Sequence, residues 1–397
     1  MAKGRCGAYL GSVLLSFFVL LGMYFPIFTT PNLTAVASEH KSMVLHFIDV
    51  GQGDSTFIEL PDGRNVLIDA GTSEYGEDVV KYISELGYNK IDCVVATHAD
   101  SDHVGGLDEV LFAFEVQYIF RPFIIASDAN PADDLLCLGL TEDQIGFNAN
   151  IEYKEFIEAA YKETYNGNNA IVKTISNKSI CDVFMGINEP YFMMEILCPF
   201  ARQDYEGFET HTGRTSGYLV ENESLDSNDM SAVISIQTEN SKVLLMADAD
   251  EEVESTLIEK AKENNSLLTR ISNVDVLKVA HHGSKNSTSA DFLNIVKPKH
   301  AVISVGAGNS YNHPNEEVVD RLNRVSSSVY RTDVNGNIKI EINSAGELHV
   351  NFRSDEDKKS GLIPETVMYI IFAVIIVGII TTAIVYTARQ KTKSVTK

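Results

Sequence analysis

The sequence predicts an α/β domain followed by one membrane-spanning helix, and three observations predict it. Apolar runs of strand length alternate along the chain with stretches patterned as amphipathic helices. Turn residues separate these runs, as at Pro61-Asp62-Gly63 and Gly87. From Thr366 to Tyr386, 21 residues carry no charge, enough to cross a bilayer as a helix.

Met43 to Asp49 reads as a strand that leads into a glycine-rich turn, Asp49-Val50-Gly51-Gln52-Gly53-Asp54. Two further strands follow, Ser55 to Leu60 and Asn65 to Asp69. Val79, Val80, Ile83 and Leu86 make one helical face that stops at Gly87. Ile91 to Thr97 is continuously apolar, as a buried strand requires. A helix is expected over Gly105 to Phe114.

Residues 122–190 are less regular and read as an insertion, with a partly helical acidic stretch at 141–162. Strands resume at Tyr191 to Cys198, Ala232 to Gln237 and Lys242 to Met246. A helix over Glu251 to Lys262, a strand over Val274 to Val279 and a helix over Asp291 to Val296 come next. A strand over Ala301 to Val305 and a helix over Glu316 to Val325 follow, and Asn335-Gly336 marks a late hairpin. The domain so assembled spans residues 42–352.

The ends bear on location. Residues 1–37 have the build of a signal peptide or signal anchor: Lys3 and Arg5, an apolar stretch from Ala8 to Phe28, and the small-x-small pattern Ala35-Val36-Ala37. A linker, 353–365, leads into the charge-free run at 366–386. The tail at 387–397 holds Arg389, Lys391, Lys393 and Lys397, which the positive-inside rule assigns to the cytoplasm. The domain between is expected outside the membrane, tethered to the lipid bilayer by the C-terminal helix.

Charge limits function. Between residues 39 and 365, 55 acids face 26 bases, so a broad DNA-binding surface is excluded. A nucleic-acid substrate would have to be held by metals or by a small local groove. Five cysteines without C-x-x-C spacing make neither a disulfide framework nor a zinc ribbon.

The strongest chemical signal is Thr97-His98-Ala99-Asp100-Ser101-Asp102-His103-Val104-Gly105-Gly106. Four potential metal ligands occupy six positions between a buried strand and a helix, where both ends of the loop are fixed. Further candidates stand at other strand ends: Asp248 after Val243 to Ala247, and His281-His282 after Leu277 to Ala280. His313 lies in the loop Asn309-Ser310-Tyr311-Asn312-His313-Pro314. Lys278 and Lys285 flank the histidine pair; the first reads as a strand-face residue and the second as solvated, with phosphate contact the alternative for both.

The glycine-rich turn, the H-x-D-x-D-H run, Asp248, His281-His282-Gly283-Ser284 and Tyr311-Asn312-His313-Pro314 occur in that order. Together they resemble the metallo-β-lactamase fold superfamily and, within it, the hydrolase domain of ComEC-like competence proteins and their stand-alone relatives. The resemblance implies a four-layer αββα sandwich with a two-metal site along one edge. It makes Asp69 the buried acid that orders the ligand loop, with Asp49 and Asp54 as further support. It gives His98 and Asp100 to one metal, Asp102, His103 and His281 to the other, and Asp248 to both as a bridge. His282 is the alternative ligand or sits behind the first. Asn228 stands where the superfamily usually adds another histidine, and Asp100 replaces a more common histidine.

A carboxylate is a harder ligand than imidazole, which widens the choice of the two divalent ions to zinc or manganese. The implied function is a phosphodiesterase acting through a metal-activated hydroxide on a phosphoester, nucleic acid being the leading substrate. Asp102 or Asp248 would orient the hydroxide and His313 would protonate the leaving oxygen. The alternatives are a surface ester such as phosphocholine, or a catalytically silent metal-binding module.

Overall fold

The computed structural model describes residues 42–122, 150–165, 170–175, 192–198 and 227–353. The chain opens with β1 (Met43–Phe47), β2 (Thr56–Glu59) and β3 (Asn65–Ile68), paired antiparallel in sequence order. After α1 (Gly76–Glu85) come β4 (Lys90–Val95), a helical turn α2 (Ser101–Val104), α3 (Leu107–Ala113) and β5 (Glu115–Arg121). The helix expected from Gly105 thus starts four residues earlier and breaks at the glycine pair, because backbone from the Ala70–Gly76 turn packs against Gly105 and Gly106 and leaves no room for a side chain at either position.

Within 122–190, α4 (Ile151–Tyr165) and β6 (Ile171–Thr174) are described, and both belong to the main architecture. Strand β6 extends the sheet parallel to β5, and α4 buries Tyr153, Phe156 and Ile157 on its outer face.

The second half supplies β7 (Phe192–Ile196), β8 (Ile234–Thr238), β9 (Lys242–Leu245), α5 (Glu251–Glu263), α6 (Asn265–Ile271) and β10 (Val276–Lys278). It continues with α7 (Ala290–Val296), β11 (His300–Ile303), α8 (Glu316–Arg324), β12 (Ser328–Arg331), a turn α9 (Thr332–Asn335), β13 (Asn337–Ile342) and β14 (Leu348–Arg353). Side-chain caps set several helix starts. Asp250 accepts from the amides of Glu252 and Val253, and Asn315 from that of Glu317.

One sheet has eight strands in the order β14-β13-β1-β2-β3-β4-β5-β6, and the other six, β12-β11-β10-β9-β8-β7. Alternation along the strands builds the layers. Met43, Leu45 and Phe47 of β1 face Met194, Ile234 and Val243 of the other sheet in the central core. On the outer face of the first sheet, Phe57, Leu67 and Val94 meet Val79, Ile83 and Leu107. On the outer face of the second, Leu244 and Leu277 meet Val253, Leu257 and Phe292. These three cores between four layers make the αββα sandwich.

Asn335-Gly336 is not a hairpin. Gly336, at φ 63°, ends α9 and passes the chain from β12 in one sheet to β13 in the other. The hairpin comes later, between β13 and β14, closed by Asn343 and Gly346. Among the described residues no helix is long and apolar enough to cross a membrane. The segments 1–37 and 366–386 lie outside the described residues.

Candidate metal centre

Strands β3 and β4 are parallel in one sheet, β9 and β10 in the other, and the candidate ligands follow their carboxyl ends. Asp69, directly after β3, is buried and organises the 98–103 segment. Its carboxylate accepts from the Thr97 amide at 2.8 Å and the Thr97 hydroxyl at 2.6 Å, and pairs with His103 Nδ1 at 2.8 Å. The Ala70 amide returns to the His103 carbonyl at 2.9 Å. A carboxylate on Nδ1 fixes the ring and leaves Nε2 free to ligate. That nitrogen lies 3.2 Å from Asp248 Oδ1.

His98, His103 and Asp248 form one group whose ligand atoms lie within 4.8 Å of one another, and Asp54, His103 and His282 form a second. All five side chains are buried. Asp102 borders them, its Oδ2 at 3.3 Å from His282 Nε2. Asp100 sits at the rim, 3.7 Å from His98 Nε2.

Of the histidine pair, His282 is the one inside the group. Its Nδ1 lies 3.0 Å from the Ser304 carbonyl, and its Nε2 lies 3.4 Å from Asp248 Oδ2. His281 reaches Asp248 Oδ2 at 3.6 Å from the more open side. The resemblance put His281 first with His282 as the alternative; both residues adopt left-handed φ, 47° and 53°, and the bend turns His282 inward.

Two glycines make the close approaches possible. Gly53, at φ 148°, brings the first turn against the ligand loop; a Cβ there would lie 2.3 Å from the Asp102 carbonyl oxygen. The Asp54 amide then donates to that carbonyl at 3.1 Å. Gly283, at φ 82°, sits against Pro314, whose Cβ would be 2.6 Å from an added methyl. This contact seats the 309–314 loop on the histidine pair. The His313 ring stacks 6.4 Å from that of His282 and meets His281 edge-on at 5.6 Å. Asp49 accepts from the Gly51 amide at 3.2 Å and holds the first turn.

Lys278 is buried, with Nζ 2.5 Å from Asp54 Oδ2 and donating to the Val279 carbonyl at 2.9 Å. It is a strand residue, the last of β10, with its side chain turned inward rather than placed on the surface for phosphate. The signal was present: a lysine ending a fully apolar inner strand persists there only with a partner. Lys285 pairs instead with Glu317 at 3.0 Å.

The electrostatics show a cluster short of positive charge. Burial raises the pKa of Asp54, but Lys278, His282 and His103 outweigh it and hold the carboxyl down to about 2. Burial likewise opposes the charge on Asp248 and Asp102, yet the adjacent histidines keep both below the usual carboxylate range. The carboxylates in turn draw protons onto His103 and His282 against the cost of burial. His98, desolvated and beside His103, is pushed the other way and stays neutral. Burial, with His282 and His281 nearby, lowers His313 to about 4. Near pH 7 that imidazole is neutral and keeps one ring N–H to donate.

The residues fit a metal. Asp248 Oδ1 and Nε2 of His98, His103 and His282 are buried without hydrogen-bond partners, as are Asp54 Oδ1 and Asn228 Oδ1. Such atoms are costly to bury unpaired. Imidazole nitrogens and carboxylate oxygens converging to within 4.8 Å of one another are the donor set of a divalent cation. Asn228 belongs to the 227–230 turn, whose neighbours Ser231 and Ala232 bond to the Asp248 amide and the Thr97 carbonyl.

Residues 48–126 match the model of the metallo-beta-lactamase superfamily. The chain is 28% identical over 309 residues to ComE operon protein 3 of Bacillus subtilis (strain 168), covering 74% of this chain and 32% of that protein. It is 25% identical over 299 residues to competence protein ComA of Neisseria gonorrhoeae, covering 75% of this chain and 32% of that protein. The chain therefore spans about a third of the length of these curated relatives. Among solved structures it is similar to Tm1679, a metal-dependent hydrolase of the beta-lactamase superfamily, with a TM-score of 0.40, 15% identity, and coverage of 78% of this chain and 100% of that one. The chain carries a metallo-β-lactamase superfamily domain, with competence proteins among its relatives and candidate metal-binding His/Asp clusters at the site.

Proposed function

We propose that the chain is a metal-dependent phosphodiesterase that acts on nucleic acid outside the cytoplasmic membrane. The observation that carries this reading is the buried surplus of carboxylates converging with imidazole nitrogens that ion-pair with them but make no hydrogen bond. His98, Asp100, His103 and Asp248 would hold one divalent cation. Asp102, His282 and Asp248 would hold a second, with His281 at its open side. Zinc or manganese suits this mixed donor set. A bound pair would lower the pKa of a shared water and offset the charge of a phosphodiester.

The residues do the rest. Asp102, partly exposed and kept ionised by its contact with His282, accepts a hydrogen bond from the attacking water. Asp69 holds the His103 ring in one orientation, and Asp54 with Lys278 braces His282. His313, neutral at the mouth, orients the leaving oxygen. Nucleic acid as the substrate class is supported by the resemblance to competence proteins, and an acidic domain manages an anion by recruiting cations to one point. The basic tail and the charge-free run at 366–386 support a single C-terminal anchor.

The test uses the full chain in detergent, loaded with zinc or manganese, with single-stranded DNA beside glycerophosphocholine. Metal-dependent cleavage of DNA, lost in Asp102→Ala, is expected. Cleavage of glycerophosphocholine alone moves the substrate to a surface ester. Bound metal with no turnover of either leaves a silent metal-binding module and overturns the reading.

A further inference from the structure

A lone exposed aromatic side chain is ordinary on a protein surface. Tyr311 differs because it ends a ladder of rings that starts in the metal centre. The buried His282 ring stacks on His313 at 6.4 Å and 29°, and His313 stacks on Tyr311 at 5.7 Å and 27°. Tyr311 is 65% exposed, so its outer face is open to solvent.

The loop that carries the ring is also held in place. Asn309 Oδ1 accepts from the amides of Tyr311 and His313, each at 3.1 Å, and its Nδ2 donates to the carbonyls of Gly306 and His313. The Asn315 amide donates to the Gly283 carbonyl at 2.9 Å, tying the loop to the histidine turn. A preorganised aromatic face loses little entropy when a planar group stacks on it.

We propose that Tyr311 is a base-stacking subsite, so that the substrate is a phosphodiester carrying a nucleobase next to the scissile bond. This rests on the phosphodiesterase reading of the same site and names what that site selects. Base stacking on an aromatic side chain tolerates any sequence, since every base has a π-face. A nucleobase on Tyr311 would continue the ring ladder outward and bring its phosphate toward His313 and the His/Asp cluster.

The experiment measures binding of two phosphorothioate probes to the full-length, metal-loaded protein. One is a thymidine dinucleotide; the other has the same backbone without bases. Wild type and Tyr311→Phe should favour the base-bearing probe by about tenfold. In Tyr311→Ala that preference should fall to near one. With the hydrolysable dinucleotide, KM should rise about tenfold in Tyr311→Ala while kcat changes much less. Equal weakening of both probes, or no change in either, overturns the proposal. So does a loss confined to glycerophosphocholine, which would make the ring a quaternary-ammonium site. Tyr311-dependent base binding without turnover leaves the subsite standing and sinks the phosphodiesterase reading. Turnover indifferent to Tyr311 does the reverse.

Discussion

The two sheets deliver their ligands to one point by different means. On the eight-stranded side, side chains do the holding. Asp69 gathers the Thr97 amide, the Thr97 hydroxyl and His103, and the 98–103 segment follows in an ordinary strand-to-helix passage. On the six-stranded side more of the backbone is bent, three left-handed residues against Asp69, at φ 56°, on the other side. Ala247, before Asp248, has φ 47°, and His281 and His282 have φ 47° and 53°. A non-glycine residue there costs about 1–2 kcal/mol, so strain collects beside the ligands and persists only because the surroundings fix it. The first half depends mainly on hydrogen bonds that can be cut one at a time, gathered by a single left-handed residue. The second depends on conformation, and on the bonds that pin its ends.

Cutting the first half at its hub should have the largest effect. Asp69→Ala removes the buried partner of His103 and strands three donors, a loss of about 3–5 kcal/mol. Chemical denaturation reads the loss, and bound metal should fall with it. A loss below 1 kcal/mol would show that the loop orders itself.

The second half has a comparable pin in Glu254. It accepts from the amides of Thr288 and Ser289, just past the histidine turn, and burial pushes its pKa up to about 7 against those bonds. The folded chain thus binds this proton more tightly than the unfolded chain. The contribution is fully present below about pH 4.5 and is lost as pH rises to about 7. Its size is about 3 kcal/mol. Denaturation midpoints across that window should show the fall in wild type and a flatter profile in Glu254→Gln.

Gly283→Ala should cost about 2 kcal/mol, since the new methyl meets Pro314 at 2.6 Å in a left-handed conformation. It should also loosen the 309–314 loop, read as faster amide exchange there than at β10. The smallest effect belongs to His281→Gly, which relieves left-handed strain without emptying the buried group. A gain of up to about 1 kcal/mol in thermal unfolding is expected. A marked loss would mean that His281 carries the cluster.

These contrasts explain what the sequence disclosed. The 98–103 ligands were legible because they are contiguous and lie between a strand and a helix. Asp248 and the histidine pair were legible as polar ends of apolar strands. The choice between His281 and His282 was not, because it turns on φ angles that composition does not encode. Lys278 was read as a strand-face residue, but alternation does not say what lies opposite; here it is Asp54, more than 200 residues earlier in the chain. The α/β alternation was plain and α4 was partly read in the helical stretch at 141–162, whereas β6 was hidden by its irregular surroundings. Asn335-Gly336 has hairpin residues, yet the sheets needed a crossover there, and tertiary pairing prevailed over local turn preference.

The buried His/Asp cluster is expected to hold divalent metal. Metal content of the purified full chain, after loading with zinc or manganese and removal of the excess, tests it most directly, with His103→Ala and Asp248→Asn alongside. His103 belongs to both groups of candidate ligands, and Asp248 faces His103, His281 and His282. Stoichiometric metal in wild type, with sharp loss in both variants despite retained folding, is the predicted result. A wild-type chain that folds and retains no metal, or variants that retain all of it, would contradict the account.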